Sequence, residues 1–152
     1  MCSSDLKDAG LYIRVPESMT VDRGLGGAIV NAEGLRNADA WSKRSPWVDY
    51  HGPVDDESVG IAILNHPSSF RHPTPWHVRT YGLFCANPFG MKQMNPAAES
   101  GAVSLAAGDR ISLRHRFIFH SGDEKAAGIA QAYEAYAAEK PAALDTATEA
   151  KR

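Results

Sequence analysis

Trp47-Val48-Asp49-Tyr50-His51-Gly52-Pro53-Val54-Asp55-Asp56-Glu57-Ser58-Val59-Gly60-Ile61-Ala62-Ile63-Leu64 is the stretch on which the fold turns. Residues 47–51 and 58–64 are apolar-rich runs of strand length, and Pro53 with the acidic pair Asp55-Asp56 carries turn chemistry between them. The reading is an antiparallel hairpin with Asp55-Asp56 at its tip. Working outward, the chain stays β. Leu11, Ile13 and Val15 alternate with Tyr12 and Arg14, which predicts a strand over 9–15. Residues 78–84 read as a further strand. In a long strand over 110–120, Ile111, Leu113, Phe117 and Phe119 share the core face, opposite Arg110, Ser112, Arg114 and Arg116.

The connections are equally legible by type. Residues 16–45, rich in Gly, Asn and Asp, read as one long excursion loop of the kind that often carries function. Gly24, Gly26 and Gly27 lack the flanking strand, helix and spacing of a dinucleotide fingerprint. Pro67, Pro73 and Pro75 make 65–76 a rigid irregular loop. Ser121-Gly122-Asp123-Glu124 has capping-box spacing and opens a helix over 123–138, with Ala126, Ile129, Ala130, Tyr133 and Ala137 as its apolar stripe. Residues 141–152 are small, polar and unpatterned, the pattern of a disordered tail. The fold class is therefore mainly β and antiparallel, with one C-terminal helix.

Composition bounds the function. Hydrophobic residues at 43% and charged residues at 22% are globular values, so 152 residues suffice for one domain with a real core. A net charge of −2 offers no general grip on nucleic acid or anionic lipid. No apolar run approaches the roughly 18 residues of a spanning helix. The N-terminus shows no charged head followed by an apolar stretch, and the compartment stays unassigned. Cys2 and Cys85 give no metal spacing, and Cys85, within Leu83-Phe84-Cys85-Ala86, reads as a buried thiol acting as a small hydrophobe. Cys2-Ser3-Ser4-Asp5-Leu6 resembles a translated sequencing-adapter tail, which sets residues 1–6 apart from the domain at 7–140.

Chemistry-bearing residues concentrate between 40 and 90. Trp41, Trp47 and Trp76 lie there, with His51, His66, His72, His77, Asp49, Arg44, Arg71 and Arg79. Ionisable and aromatic residues on prolyl loops above a rigid sheet are typical of binding sites. The tryptophans serve either as core aromatics or as stacking platforms for a ligand ring. The arginines either brace loops through carbonyls or fork onto a ligand. His66, His72 and His77 do not have the i, i+4 spacing of a helical zinc site and no HExxH motif exists, so no metal ligand set is assigned. Imidazole is suited to proton transfer, and Asp49 is the natural carboxylate partner for His66 or His77.

Three segments carry a resemblance: Ala40-Trp41-Ser42-Lys43-Arg44-Ser45-Pro46-Trp47-Val48-Asp49-Tyr50, then His66-Pro67-Ser68-Ser69-Phe70-Arg71-His72-Pro73-Thr74-Pro75-Trp76-His77-Val78-Arg79, then Tyr81-Gly82-Leu83-Phe84-Cys85-Ala86-Asn87-Pro88-Phe89-Gly90. Together they resemble the bacterial family labelled "methane oxygenase PmoA". The resemblance implies a β-sandwich related in shape to sugar mutarotases, a role in carbohydrate metabolism, and a longer protein of which this chain is the C-terminal part, its N-terminal half being a missing partner. The lack of any spanning run is a physical objection to reading the label as an integral-membrane oxygenase.

Three functions follow as expectations. The first is a carbohydrate-related enzyme, with His66, His77 and Asp49 as catalytic residues and Trp41, Arg44, Arg71, His72, Trp76 and Arg79 binding a sugar-like small molecule. The second is a non-catalytic carbohydrate-binding or structural sandwich using the tryptophans. The third is a metal-dependent oxygenase, for which no 2-His-1-carboxylate framework is visible in the sequence. No cofactor is named by any motif.

Overall fold

The computed structural model describes residues 2, 3 and 10–140, with side chains from residue 10 onward. The expected tail over 141–152 and most of the adapter-like start lie outside the described residues. Strands β1 (Cys2–Ser3) and β8 (Val103–Ser104) pair as a small ribbon. The rest forms two antiparallel sheets. One has the order β2 (Leu11–Arg14), β7 (Leu83–Ala86), β6 (Trp76–Val78). The other has the order β3 (Ala28–Asn31), β4 (Trp47–Val54), β5 (Glu57–Asn65), β9 (His115–Ser121).

The β4–β5 hairpin organises the larger sheet. Its register runs from Trp47 opposite Leu64 to Val54 opposite Glu57. Asp55 and Asp56 turn the chain with φ of 47° and 65°, a left-handed pair that matches the twist of the strands it joins. Pro53 is tolerated within β4 because the β3 ladder reaches only Val48 to His51, so no donor toward β3 is lost there.

Period two then sorts the side chains. Val48 and Tyr50 of β4, Ile63 of β5 and Ile29 of β3 meet Trp76 and Val78 of β6 and Phe84 and Ala86 of β7 in one buried core. Each such side chain contributes about 1.5–3 kcal/mol on burial, so this shared core holds the two sheets face to face. The Tyr50 hydroxyl donates to the Thr80 carbonyl at 3.0 Å, tying β4 to the turn of the opposite sheet. On the outer face of the larger sheet, Trp47, Ala62 and Leu64 pack under Ile129 and Tyr136 of helix α2 (Ile129–Ala137). The molecule is thus mainly antiparallel β, sandwich-like, with one main helix near the C-terminus. Among the described residues, no helix is long and apolar enough to cross a membrane.

Four boundaries differ from the sequence reading, each for a local reason. Residues 16–45 are not one loop: β3 lies within them and adds to β4, and three short 3-10 turns pack around it. A side chain at Gly27 would place its Cβ 2.3 Å from the Met19 carbonyl oxygen, which is how closely that excursion lies on itself. Residues 78–84 are not one strand: Val78 ends β6, Leu83 and Phe84 open β7, and the turn between them is closed by the Arg79 amide on the Leu83 carbonyl and by Gly82 at φ 103°. The long strand over 110–120 begins only at His115. Residues 112–114 instead bond the prolyl loop, through the His66 amide to the Arg114 carbonyl and the Phe70 amide to the Ser112 carbonyl. Leu113 is accordingly exposed rather than a core residue.

The helix, expected over 123–138, starts at Ile129, because Gly128 is left-handed and turns precede it. Asp123 rather than Ser121 caps that turn, its carboxylate accepting the Lys125 and Ala126 amides at 3.1 and 2.8 Å. Phe119, expected on the core face, is 75% exposed and stacks on Phe117.

Candidate functional site

The outward face of β4 carries Trp47, Asp49 and His51, two residues apart. Asp49 is fully buried, and both its oxygens are engaged: His51 Nδ1 lies 2.6 Å from Oδ1 and His120 Nε2 lies 2.6 Å from Oδ2. His120 comes from β9, two strands away, and reaches Asp49 across Gly60 of β5, which is its register partner. The glycine is what makes this possible. A Cβ at position 60 would stand 2.2 and 2.4 Å from the His120 ring atoms Cε1 and Nε2. Glu124, from the turn before α2, closes the cluster with Oε2 3.8 Å from His51 Nδ1. Arg36 approaches Glu124 at 4.0 Å. The hydrogen bond that His51 donates to Asp49 holds its imidazole above the ordinary pKa; burial opposes this, and the charges of Asp49, Glu124 and Asp123 add to it.

The cluster lies between two surface clefts. One, of about 320 Å³, is lined by Asn31, Trp47, Glu124, Lys125 and Gln131 among others. The other, of about 570 Å³, is apolar and reaches His120 past Gly60, Ile61 and Phe119. Asn31 is 1% exposed, with Oδ1 accepting the Leu35 amide at 2.8 Å, while its Nδ2 bonds no described residue. Replacing Gly60 by alanine should expel His120 from Asp49 and destabilise the fold by about 1–3 kcal/mol. Urea unfolding together with the His120 imidazole resonance in NMR spectra checks this; an unmoved resonance would contradict the geometry.

The residues singled out from the sequence divide into separate places. Asp49 does not pair with His66 or His77. Val48 and Tyr50 face the core, so Asp49 points out from the larger sheet. Trp76 and Val78 face the same core, so the buried His77 points out from the smaller sheet, on the opposite side of the sandwich. His66 brackets the end of α2. Its Nδ1 accepts the Ser68 amide at 3.1 Å, its Nε2 donates to the Glu139 carbonyl at 3.1 Å, and its ring meets Tyr136 edge-on. Arg44 braces the prolyl loop through the Arg71 and Pro73 carbonyls at 3.1 and 2.7 Å. Arg71 reaches the Pro88 and Gly101 carbonyls at 2.6 and 2.7 Å. Trp76 is wholly buried, its Nε1 donating to the Ser45 carbonyl at 2.9 Å, so no ring face is open to a ligand. The Arg79 guanidinium lies 4.8 Å over the half-buried Trp41 ring.

His72 belongs to a second polar chain. Its Nδ1 donates to Asn65 Oδ1 at 3.0 Å, and Asn65 Nδ2 donates to His115 Nε2 at 3.2 Å, which requires neutral His115. Burial lowers the pKa of His72 and pushes that of His115 down to about 4. An unfolded histidine titrates near 6.5. Between pH 6.5 and 4 the unfolded chain takes up a proton that folded His115 refuses. The stability present above pH 6.5 is therefore lost as pH falls toward 4, by up to about 3 kcal/mol. Urea unfolding at pH 7.5, 5.5 and 4.5 should show that loss, and H115Q should flatten it; equal slopes in both proteins would contradict the assignment.

Residues 4–134 match the model of DUF6807, a family of unknown function, and the chain belongs to that family. No curated protein and no solved structure matches it.

Proposed function

We propose that this DUF6807 chain is a carbohydrate-related enzyme domain whose chemical centre is the cluster of Asp49, His51, His120 and Glu124. The observation that carries the reading is the fully buried Asp49 carboxylate held on both oxygens by imidazoles. Burying a charge is costly unless it is paired, and a core that needed only packing is satisfied by apolar residues of that size. Such ionisable clusters beside a cleft are characteristic of functional sites.

The sugar-like ligand class rests on the resemblance of 40–50, 66–79 and 81–90 to the family labelled methane oxygenase PmoA, and on the chemistry of the cleft at Glu124. One aromatic edge from Trp47, amides from Asn31 and Gln131, a carboxylate and an ammonium suit a small polyhydroxylated molecule, and the volume of about 320 Å³ fits one sugar ring.

A second reading is favoured by a different surface. Arg14, Tyr81, Arg79 and Trp41 form a run of guanidinium and aromatic groups, each 4.8–5.9 Å from the next, with Tyr81 47% exposed. A non-catalytic carbohydrate-binding module uses such a surface. Titrating the chain with a panel of monosaccharides and sugar acids, read by the histidine imidazole resonances, separates the two. The enzyme reading expects saturable shifts at His51 and His120 that E124Q weakens about tenfold, the size of one charge-assisted hydrogen bond. Binding that is abolished by W41A and leaves His51 and His120 unmoved supports the module instead. Absence of binding across the panel removes both.

A further inference from the structure

We propose that Asp49, His51 and Glu124 form a binding site for a divalent transition-metal cation, with His120 and Gly60 holding Asp49 in the ligating position. The inference rests on the cluster being the chemical centre and names what that centre holds.

The donor atoms of Asp49, His51 and Glu124 all lie within 4.8 Å of one another. They come from a central strand and from a capped turn, both anchored by the sheet and helix around them, so the set is preorganised rather than assembled by flexible side chains. All three residues are buried, with side chains 0%, 10% and 8% exposed for Asp49, His51 and Glu124. Two carboxylates drawn out of water this close together call for positive charge; His51 Nδ1 stands against both, 2.6 Å from Asp49 and 3.8 Å from Glu124, and a divalent ion bound there in exchange for a proton supplies more charge than the imidazole does. Arg36 touches only Glu124, at 4.0 Å and from a half-exposed position, so it does not serve the pair.

The donor types narrow the ion. Calcium sites are built from six to eight oxygens, whereas one imidazole with two carboxylates is a set suited to manganese, iron or zinc. One oxygen of Asp49 is fixed by His120 Nε2 at 2.6 Å, and the other shares a proton with His51 Nδ1 at 2.6 Å; an ion entering there displaces that proton to solvent and takes both atoms as ligands. Outer groups that fix a ligand in this way are a regular part of metal sites. Gly60 is the accommodation for that outer group, since any side chain there would collide with the His120 ring. A cluster that served only to pin the turn to the sheet would not need an imidazole seated on a bare glycine behind the carboxylate.

The test titrates the chelator-treated full chain with Mn²⁺, with Zn²⁺, and with Ca²⁺ as the contrast. One Mn²⁺ per chain should bind and broaden the imidazole resonances of His51 and His120 and the backbone amides of Gly60 and Ala62. Zn²⁺ should raise the unfolding temperature, and Ca²⁺ should do neither. H51Q and E124Q should each weaken Mn²⁺ binding by about 100-fold, and H120Q by about tenfold, as expected for a group behind the ligand. No saturable Mn²⁺ binding, broadening centred elsewhere, or binding unchanged in both H51Q and E124Q overturns the proposal. The broadening is read in the unaltered protein, so it stands even if a variant fails to fold. Cation binding at the cluster with no member of the sugar panel bound keeps this inference and removes the sugar reading. Sugar binding that moves His51 in the presence of chelator and is insensitive to added Mn²⁺ does the reverse.

Discussion

Replacing Asp49 by alanine should destabilise the protein by about 3–5 kcal/mol, because it strips the partner from two ring nitrogens that the fold has already taken out of water. His51 and His120 each approach the carboxylate at 2.6 Å, with side chains no more than 10% exposed. Losing Asp49 also relieves its repulsion with Glu124, but Glu124 stands farther from His51, at 3.8 Å, so the lost pairings outweigh the relief. The check is urea unfolding of D49A, H120A and the double variant. The double variant should cost clearly less than the sum, by about 0.5–3 kcal/mol, since both changes remove one contact. A loss under about 1 kcal/mol for D49A would show that the carboxylate is solvated and the cluster is not a buried unit.

Half of this cluster was legible in the sequence. A two-residue tip at Asp55-Asp56 sets the hairpin register, which puts Asp49 opposite Ala62 and His51 opposite Gly60 on one face by period two alone. An interior strand glycine facing a histidine is itself a signal of close approach. His120 and Glu124 were hidden because their contributions depend on β9 pairing with β5 and on the turn before α2, contacts 50 and more residues apart along the chain. The prolyl loop misled for a related reason. Its histidines and arginines have the composition of a site, but Arg44 and Arg71 spend their donors on loop carbonyls, and Asn65 accepts from His72 and donates to His115, which only tertiary geometry reveals. Most strands survived because hydrophobic period is local, although β3 was lost within the excursion at 16–45. Strand ends did not, because at 78–84 and 110–114 the decisive hydrogen bonds are made to a turn and to the loop at 66–70.

Tryptophan truncation should divide the two sequence candidates sharply. W76A should cost about 3–5 kcal/mol, the range for large aromatic deletions in a packed core. Its ring is wholly buried, lies 5.8 Å from Phe84 between the two sheets, and anchors the Ser45 carbonyl through Nε1. The alanine variant both opens a cavity and leaves that buried carbonyl without its donor, and the second effect alone costs about 1–3 kcal/mol. W76F keeps most of the volume and loses mainly the hydrogen bond, so it should fall between W76A and the parent. Trp41 is only half-buried, and its best contact is the Arg79 guanidinium at 4.8 Å, a cation–π pair of about 0.5–1 kcal/mol at such exposure. W41A should therefore cost about 2 kcal/mol less than W76A in urea unfolding. Ligand binding should respond in the opposite way. At temperatures where both proteins are folded, W76F should bind sugars as the parent does, since no face of residue 76 reaches solvent. An affinity change of tenfold or more in W76F, with folding intact, would mean that the ring touches ligand and that the core described around it is open.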